Sequence, residues 1–216
     1  RSADPNSHRA LAIMTKGWPW NREVYALILE RLIGAGAKVV AFDCLFPTPA
    51  PGDDAFRGAL DRFKSQVVIG SNFVSPDNVA RSFRIPSSYE PPAETLIAKT
   101  GTLDDRVGFT NFFAGENKIV REAQYRVAFR EGGNPTQTYF SLSARAISKA
   151  GHPELVPNNL AENSIRFTGP PRQGFRPHSV FEIFVPEYWQ HNYRSGESLR
   201  NKIVIVGAEG KWQKDE

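Results

Sequence analysis

Residues 37–46, AKVVAFDCLF, are apolar almost throughout and broken only by Lys38 and by Asp43 near the end. A half-buried strand alternates polar and apolar positions, so a run of this kind reads as a strand covered on both faces. Residues 66–70, QVVIG, and residues 202–206, KIVIV, repeat the signature. Between the first two lies a helical pattern with Phe56, Ala59, Leu60 and Phe63 on one side. Before them, Val24, Leu27, Ile28 and Leu32 recur at helical spacing, with Asn21 and Glu23 at the start and Gly34 and Gly36 at the stop. Residues 10–14, ALAIM, read as an opening strand. Strand–helix–strand–helix–strand order predicts an α/β fold: three-layer, with a mixed, mostly parallel sheet and helices on both faces.

The rest of the chain is less regular. Residues 75–101, with Pro76, Pro86, Pro91 and Pro92, read as loop. Residues 107–113 and 123–129 read as two strands whose short connection favours antiparallel pairing. Residues 138–150 read as a helix stopped by Gly151 and Pro153, and 163–168 as a strand. Residues 179–184 read as a short helix capped by Ser179 and ended by Pro186. The domain organisation expected is a linker or cloning remnant at 1–9, one domain at 10–210 and a tail at 211–216.

Composition narrows the function. The chain has 216 residues, 40% of them hydrophobic and 23% charged, which suits one domain with a real core. Its 27 Lys and Arg are interspersed with 23 Asp and Glu for a net charge of +4. That is a mixed solvated surface rather than a nucleic-acid face. Cys44 is the single cysteine, excludes an intramolecular disulfide and reads as a small buried hydrophobe. No stretch reaches the ~18 apolar residues of a membrane span.

The end of the 37–46 strand is the richest spot. Asp43 closes it, Phe46 follows, and a proline-rich loop leads to Asp53 and Asp54 at a helix start. Ligands of parallel sheets bind outside the carboxyl ends of the strands. The three carboxylates can be read as a site for a hard cation or polar ligand, or as two helix caps and a hydrogen-bonded strand end. Trp18, Trp20 and Arg22 precede the first long helix and can line a pocket or staple the chain onto the helix start. Arg121 and Arg126 flank a strand and can serve an anion or a structural ion pair.

Catalytic signatures are missing. A phosphatase of the haloacid-dehalogenase type needs a second Asp two residues after its nucleophile, and position 45 is Leu. There is no G-x-S-x-G, H-E-x-x-H or Walker A motif, and His8, His152, His178 and His191 lack metal-ligand spacing. Gly34-Ala35-Gly36 follows a helix, the wrong side for phosphate. A hydrolase using Asp43 is the enzymatic alternative.

Several segments together resemble a known family. They are Gly17-Trp18-Pro19-Trp20-Asn21-Arg22; Gly36-Ala37-Lys38-Val39-Val40-Ala41-Phe42-Asp43 with Phe46 and Asp54; Gly108-Phe109-Thr110-Asn111 with Arg121; Ile165-Arg166-Phe167-Thr168-Gly169-Pro170; and residues 199–207. In this order they resemble the CHASE family, type two: cyclase- and histidine-kinase-associated sensing extracellular domains. The family usually shows Asp-Gly before the arginine, where this chain has Glu116-Asn117-Lys118. The resemblance implies a homodimeric sensing domain without cofactor, outside a bacterial plasma membrane, flanked by membrane helices and taking a small-molecule or ionic stimulus. Its output would be a class III adenylate or guanylate cyclase, or alternatively a histidine or Ser/Thr kinase. The ligand-contact candidates are Trp18, Arg22, Asp43, Phe46, Asp53, Asp54, Asn111 and Arg121.

Overall fold

In a computed structural model, the residues described are 4–74, 88–112, 119–130, 132, 135–167, 169 and 176–207. The expectations at Pro76 and Pro86, at Glu116-Asn117-Lys118, at Thr168 and Pro170, and for the 211–216 tail fall outside them.

The centre is a mixed sheet of β1 (Val39–Leu45), β2 (Val67–Val74), β3 (Ser88–Glu90), β4 (Val107–Phe109) and β9 (Ile203–Gly207). β1 pairs in parallel with β2 and β9, and β2 in parallel with β4; β3 joins β2 antiparallel. Successive β1 residues enter different buried clusters. Val40 and Phe42 pack with α2 (Glu23–Gly34) and α3 (Asp53–Arg62), while Val39 and Ala41 pack with Ala146 and Ala150 at α4 (Leu142–Lys149). Burial on both faces over Val39–Phe42 is what the apolar stretch of the run demands. Four aromatics, Tyr25, Phe42, Phe46 and Phe56, interlock at centroid distances of 5.0–6.0 Å below the β1 end.

Gly108 shows why a glycine sits in β4. A Cβ there would lie 2.6 Å from Leu142 Cα, so β4 can approach the start of α4 only without a side chain.

Two small antiparallel pairs flank the sheet: β5 (Glu122–Gln124) with β8 (Glu162–Ser164), and β6 (Arg126–Phe129) with β7 (Gln137–Phe140). Phe73, Phe109, Val127, Phe129 and Tyr139 form a second aromatic-rich core beneath the β6–β7 pair.

Four local expectations are corrected. Residues 10–14 are not a strand. They end α1 (Pro5–Met14), which the Asp4 carboxylate caps through the Asn6 and Ser7 amides with Pro5 in the first turn. The run ALAIM is too short for periodicity to separate strand from helix. Residues 107–113 and 123–129 do not pair: β4 finds β2, and β6 finds β7. Residues 138–140, expected to begin a helix, belong instead to β7, with Ser141 Oγ accepting the Ala144 amide to open α4. The short helix expected at 179–184 is present as a 3-10 turn, Val180–Phe184, with Ser179 at its N-cap and an extended Val185 ahead of Pro186; Pro186 also begins α5 (Pro186–Tyr193), a position that suits its missing amide. Finally, β9 is not buried on both faces. It lies at one end of the strand order and only Val204 and Val206 pack on the main core, leaving Ile205 70% exposed. An edge strand can carry the same apolar run as a central one, because the run records composition and not position.

Candidate ligand crevice

Three pieces of sequence meet at the carboxyl end of β1. The first is the turn between α1 and α2, carrying Trp18, Trp20 and Arg22. The second is the strand end from Asp43 to Phe46 with the proline-rich loop after it. The third is the chain beyond β4, at Thr110 and Phe112. They enclose an open crevice of about 1350 Å³, one wall of which is α1 through Arg9, Ala12 and Ile13. This is where a parallel sheet leaves room for ligand, because loops diverge from the strand ends.

The crevice rests on a buried ion pair. Arg22 Nη1 donates to Asp53 Oδ1 at 2.8 Å, and Nη2 to the Thr48 carbonyl at 2.6 Å. The guanidinium lies 5.1 Å from the Phe46 ring centroid. Asp53 Oδ2 accepts the Ala50 amide at 3.0 Å and the Thr95 hydroxyl at 2.5 Å. Burial raises the Asp53 pKa, but Thr95, Ala50 and Arg22 together outweigh that and hold it below the usual carboxylate value. The proline-rich loop is thereby locked onto the start of α2. Gly52 makes the same joint possible: its φ is +90°, and a Cβ would collide with Asn21 Oδ1 and the Glu23 amide. Asn21 in turn accepts the Glu23 amide at 3.0 Å, the cap its position predicts.

The candidates divide. Trp18, Arg22, Asp43 and Phe46 all line the crevice. Arg22 and Asp53 spend their charges on each other, and Phe46 is 4% exposed, so these three build the floor. Asp54 points outward, its side chain 93% exposed, and pairs with Arg57 at 2.7 Å. The cation reading of Asp43, Asp53 and Asp54 is therefore corrected. Among the described residues no group of three or more His, Cys, Asp or Glu could hold a metal ion. Asp53 faces a guanidinium and Asp54 faces solvent, so the three carboxylates do not converge.

Asn111 is structural. Its amide accepts the Phe73 N–H at 2.8 Å and donates to the Phe73 carbonyl at 3.0 Å and to Asn72 Oδ1 at 2.6 Å. A side chain thus continues the β4–β2 ladder past the end of β4. Arg121 is exposed and outside the crevice, where its carbonyl accepts the Ile165 amide. Arg126 stacks 4.9 Å from the Phe140 centroid, also outside it.

The two tryptophans realise both readings of their motif. Trp20 packs on the core 6.5 Å from Tyr25, whereas Trp18, edge-on to it at 5.3 Å, stays 53% exposed. Sequence reasoning missed Thr48 and Thr95, which hold Arg22 and Asp53 across 26 and 42 residues, and no local pattern marks them. It also missed Leu45 and Phe112, 43% and 59% exposed, which with Trp18 give the crevice its apolar surface.

An aromatic, half-exposed wall with a few charges at its rim can bind an amphipathic small molecule. Covering roughly 100 Å² of apolar surface would yield about 2.5 kcal/mol.

Searches of the curated proteins and of the solved structures return no match. A scan of family models matches the CHASE2 domain over residues 3–215. With nearly its whole length matched, from the cap of α1 past the end of β9, the chain belongs to the CHASE2 family of sensory domains.

Proposed function

We propose that this chain is the extracytoplasmic sensing domain of a bacterial membrane receptor and that the crevice takes its stimulus. CHASE2 domains are sensory modules, typically outside the membrane that carries the receptor. The observation that carries the reading is the exposed apolar wall of Trp18, Leu45 and Phe112 above a locked, charge-neutral floor. The frame we read as three layers, with α2 and α3 on one face of the sheet and α4 on the other, in a homodimer.

Signalling follows from differential binding. A ligand shifts a two-state receptor only by its difference in affinity for the two states. A tenfold shift needs a difference of about 1.4 kcal/mol between the two states. α1 is the element through which occupancy acts, because it walls the crevice and runs antiparallel to α2, tied by Arg9–Glu23 and by Asp4–Arg31 at 3.5 Å. A ligand wedged against Ile13 and Trp18 alters that packing.

The output we assign is a class III adenylate or guanylate cyclase across the membrane; a histidine or Ser/Thr kinase is the alternative. The hydrolase alternative finds Leu45 where a general acid would be required.

Two measurements on the full-length receptor test this. Protease added to intact spheroplasts should digest this domain and spare the output domain. Cyclic nucleotide production should respond to Trp18→Ala. Protection of the domain in intact spheroplasts would overturn the placement.

A further inference from the structure

A second cavity, sharing no lining residue with the crevice, has a volume of about 270 Å³. Its walls include Tyr89, Leu103, Val107, Tyr139 and Phe140, and Arg145 of α4 faces into it. It lies beside the second aromatic core, where Tyr89 and Tyr139 pack at a centroid distance of 4.5 Å. The volume is near the ~300 Å³ lower bound of ligand pockets, so the occupant is small.

Arg145 is the unusual feature. Its guanidinium stacks 4.6 Å from the Phe140 centroid, and its Nε–H donates to the Val107 carbonyl at 3.3 Å. Among the described residues the terminal nitrogens of Arg145 have no acceptor. Among the described residues, the two carboxylates that act on this guanidinium, Asp104 and Asp105, are engaged elsewhere. Asp104 lines the cavity but is held by Arg106 through the backbone amide at 2.8 Å, Nε at 2.9 Å and Nη2 at 2.7 Å. Asp105 pairs with Lys149 at 3.1 Å. Burial pushes the Arg145 pKa down, an effect that Asp105, Tyr89 and Asp104 only partly offset. A second cation, Arg126, stacks 4.9 Å from the same Phe140 ring and keeps a buried Nε with no hydrogen-bond partner among the described residues.

A half-buried guanidinium with free donors, above an apolar floor, is built for bidentate recognition of a planar anion. We infer that this cavity binds a small organic monocarboxylate, its carboxylate on the Arg145 Nη atoms and its apolar body against Tyr89, Leu103 and Tyr139. Such a ligand would join the loop at residues 97–104 to the β7–α4 junction. The inference stands apart from the crevice, since neither site lends the other a residue.

The test uses the 216-residue domain and four probes, benzoate, phenylacetate, 3-phenylpropanoate and hexanoate, with benzamide and inorganic phosphate as controls. Titration calorimetry should give saturable binding of at least one carboxylate. Arg145→Gln should weaken it at least tenfold, Arg145→Lys should restore part of it, and benzamide should fail to bind. Leu103→Trp, which fills the cavity and keeps the arginine, should abolish binding while leaving the fold intact by circular dichroism. Absence of binding by all four carboxylates would overturn the site. So would equal affinity of parent and Arg145→Gln, or phosphate binding as tightly as the best carboxylate. Trp18→Ala, a crevice substitution, should leave carboxylate binding unchanged, so failure here is distinguishable from failure of the sensory reading.

Discussion

Replacing Asp53 by alanine strands three donors at once: the Arg22 guanidinium, the Ala50 amide and the Thr95 hydroxyl. The side chains of Arg22 and Asp53 are only 9% and 8% exposed, so water cannot take the lost acceptor's place without opening the loop. Removing one partner of a buried pair costs about 3–5 kcal/mol, most of it the cost of the charge left behind. For a domain of this size each kcal/mol moves the melting temperature by about 2–4 °C, so Asp53→Ala should lower it by roughly 6–20 °C. The assay is thermal unfolding followed by circular dichroism at neutral pH. Arg22→Met with Asp53→Ala removes the stranded cation and should destabilise less than the sum of the single changes. Asp54→Asn, at the exposed neighbour, should stay within about 0.5 kcal/mol of the parent. A fall below about 2 °C for Asp53→Ala would refute the reasoning that the pair locks the loop.

Other outcomes follow from the same geometry. Asn111→Ala loses three hydrogen bonds to β2 and should cost about 1–3 kcal/mol in urea unfolding. Gly108→Ala drives a methyl into the start of α4 and should cost on the order of 1–3 kcal/mol, whereas Gly58→Ala, where nothing lies within 4 Å, should be neutral or stabilising. The folded Asp53 carboxyl titrates below its unfolded value of about 3.9, so its contribution is complete above that pH and is lost as pH falls through the folded value. Urea midpoints at pH 7 and pH 3 should therefore converge in Asp53→Asn relative to the parent; an unchanged gap would contradict the assignment.

Periodicity carried the centre of the fold. The runs around Val39–Leu45 and Val67–Val74 and the helix at Glu23–Gly34 lie where spacing predicts them, because burial on both faces leaves a mark on every residue. Edges leave weaker marks. Ile203 and Ile205 look like core in sequence yet face outward, and three residues at 138–140 cannot be distinguished from the first turn of a helix. The crevice was half legible. Strand-end logic located Asp43 and Phe46, and the tryptophan motif located Trp18. The pairing that consumes Arg22 and Asp53 spans 31 residues and is set by tertiary packing, as are the contributions of Thr48, Thr95 and Phe112.

The central claim is that the crevice binds a stimulus and leaves it unchanged. Its most direct measurement is a titration with the strongest stabiliser from a thermal-shift screen of metabolites, followed by mass analysis of the recovered compound. The account predicts saturable binding by the parent, binding at least tenfold weaker in Trp18→Ala, and an intact compound after incubation. Conversion of the compound by the parent domain, or equal affinity for parent and Trp18→Ala, would contradict it.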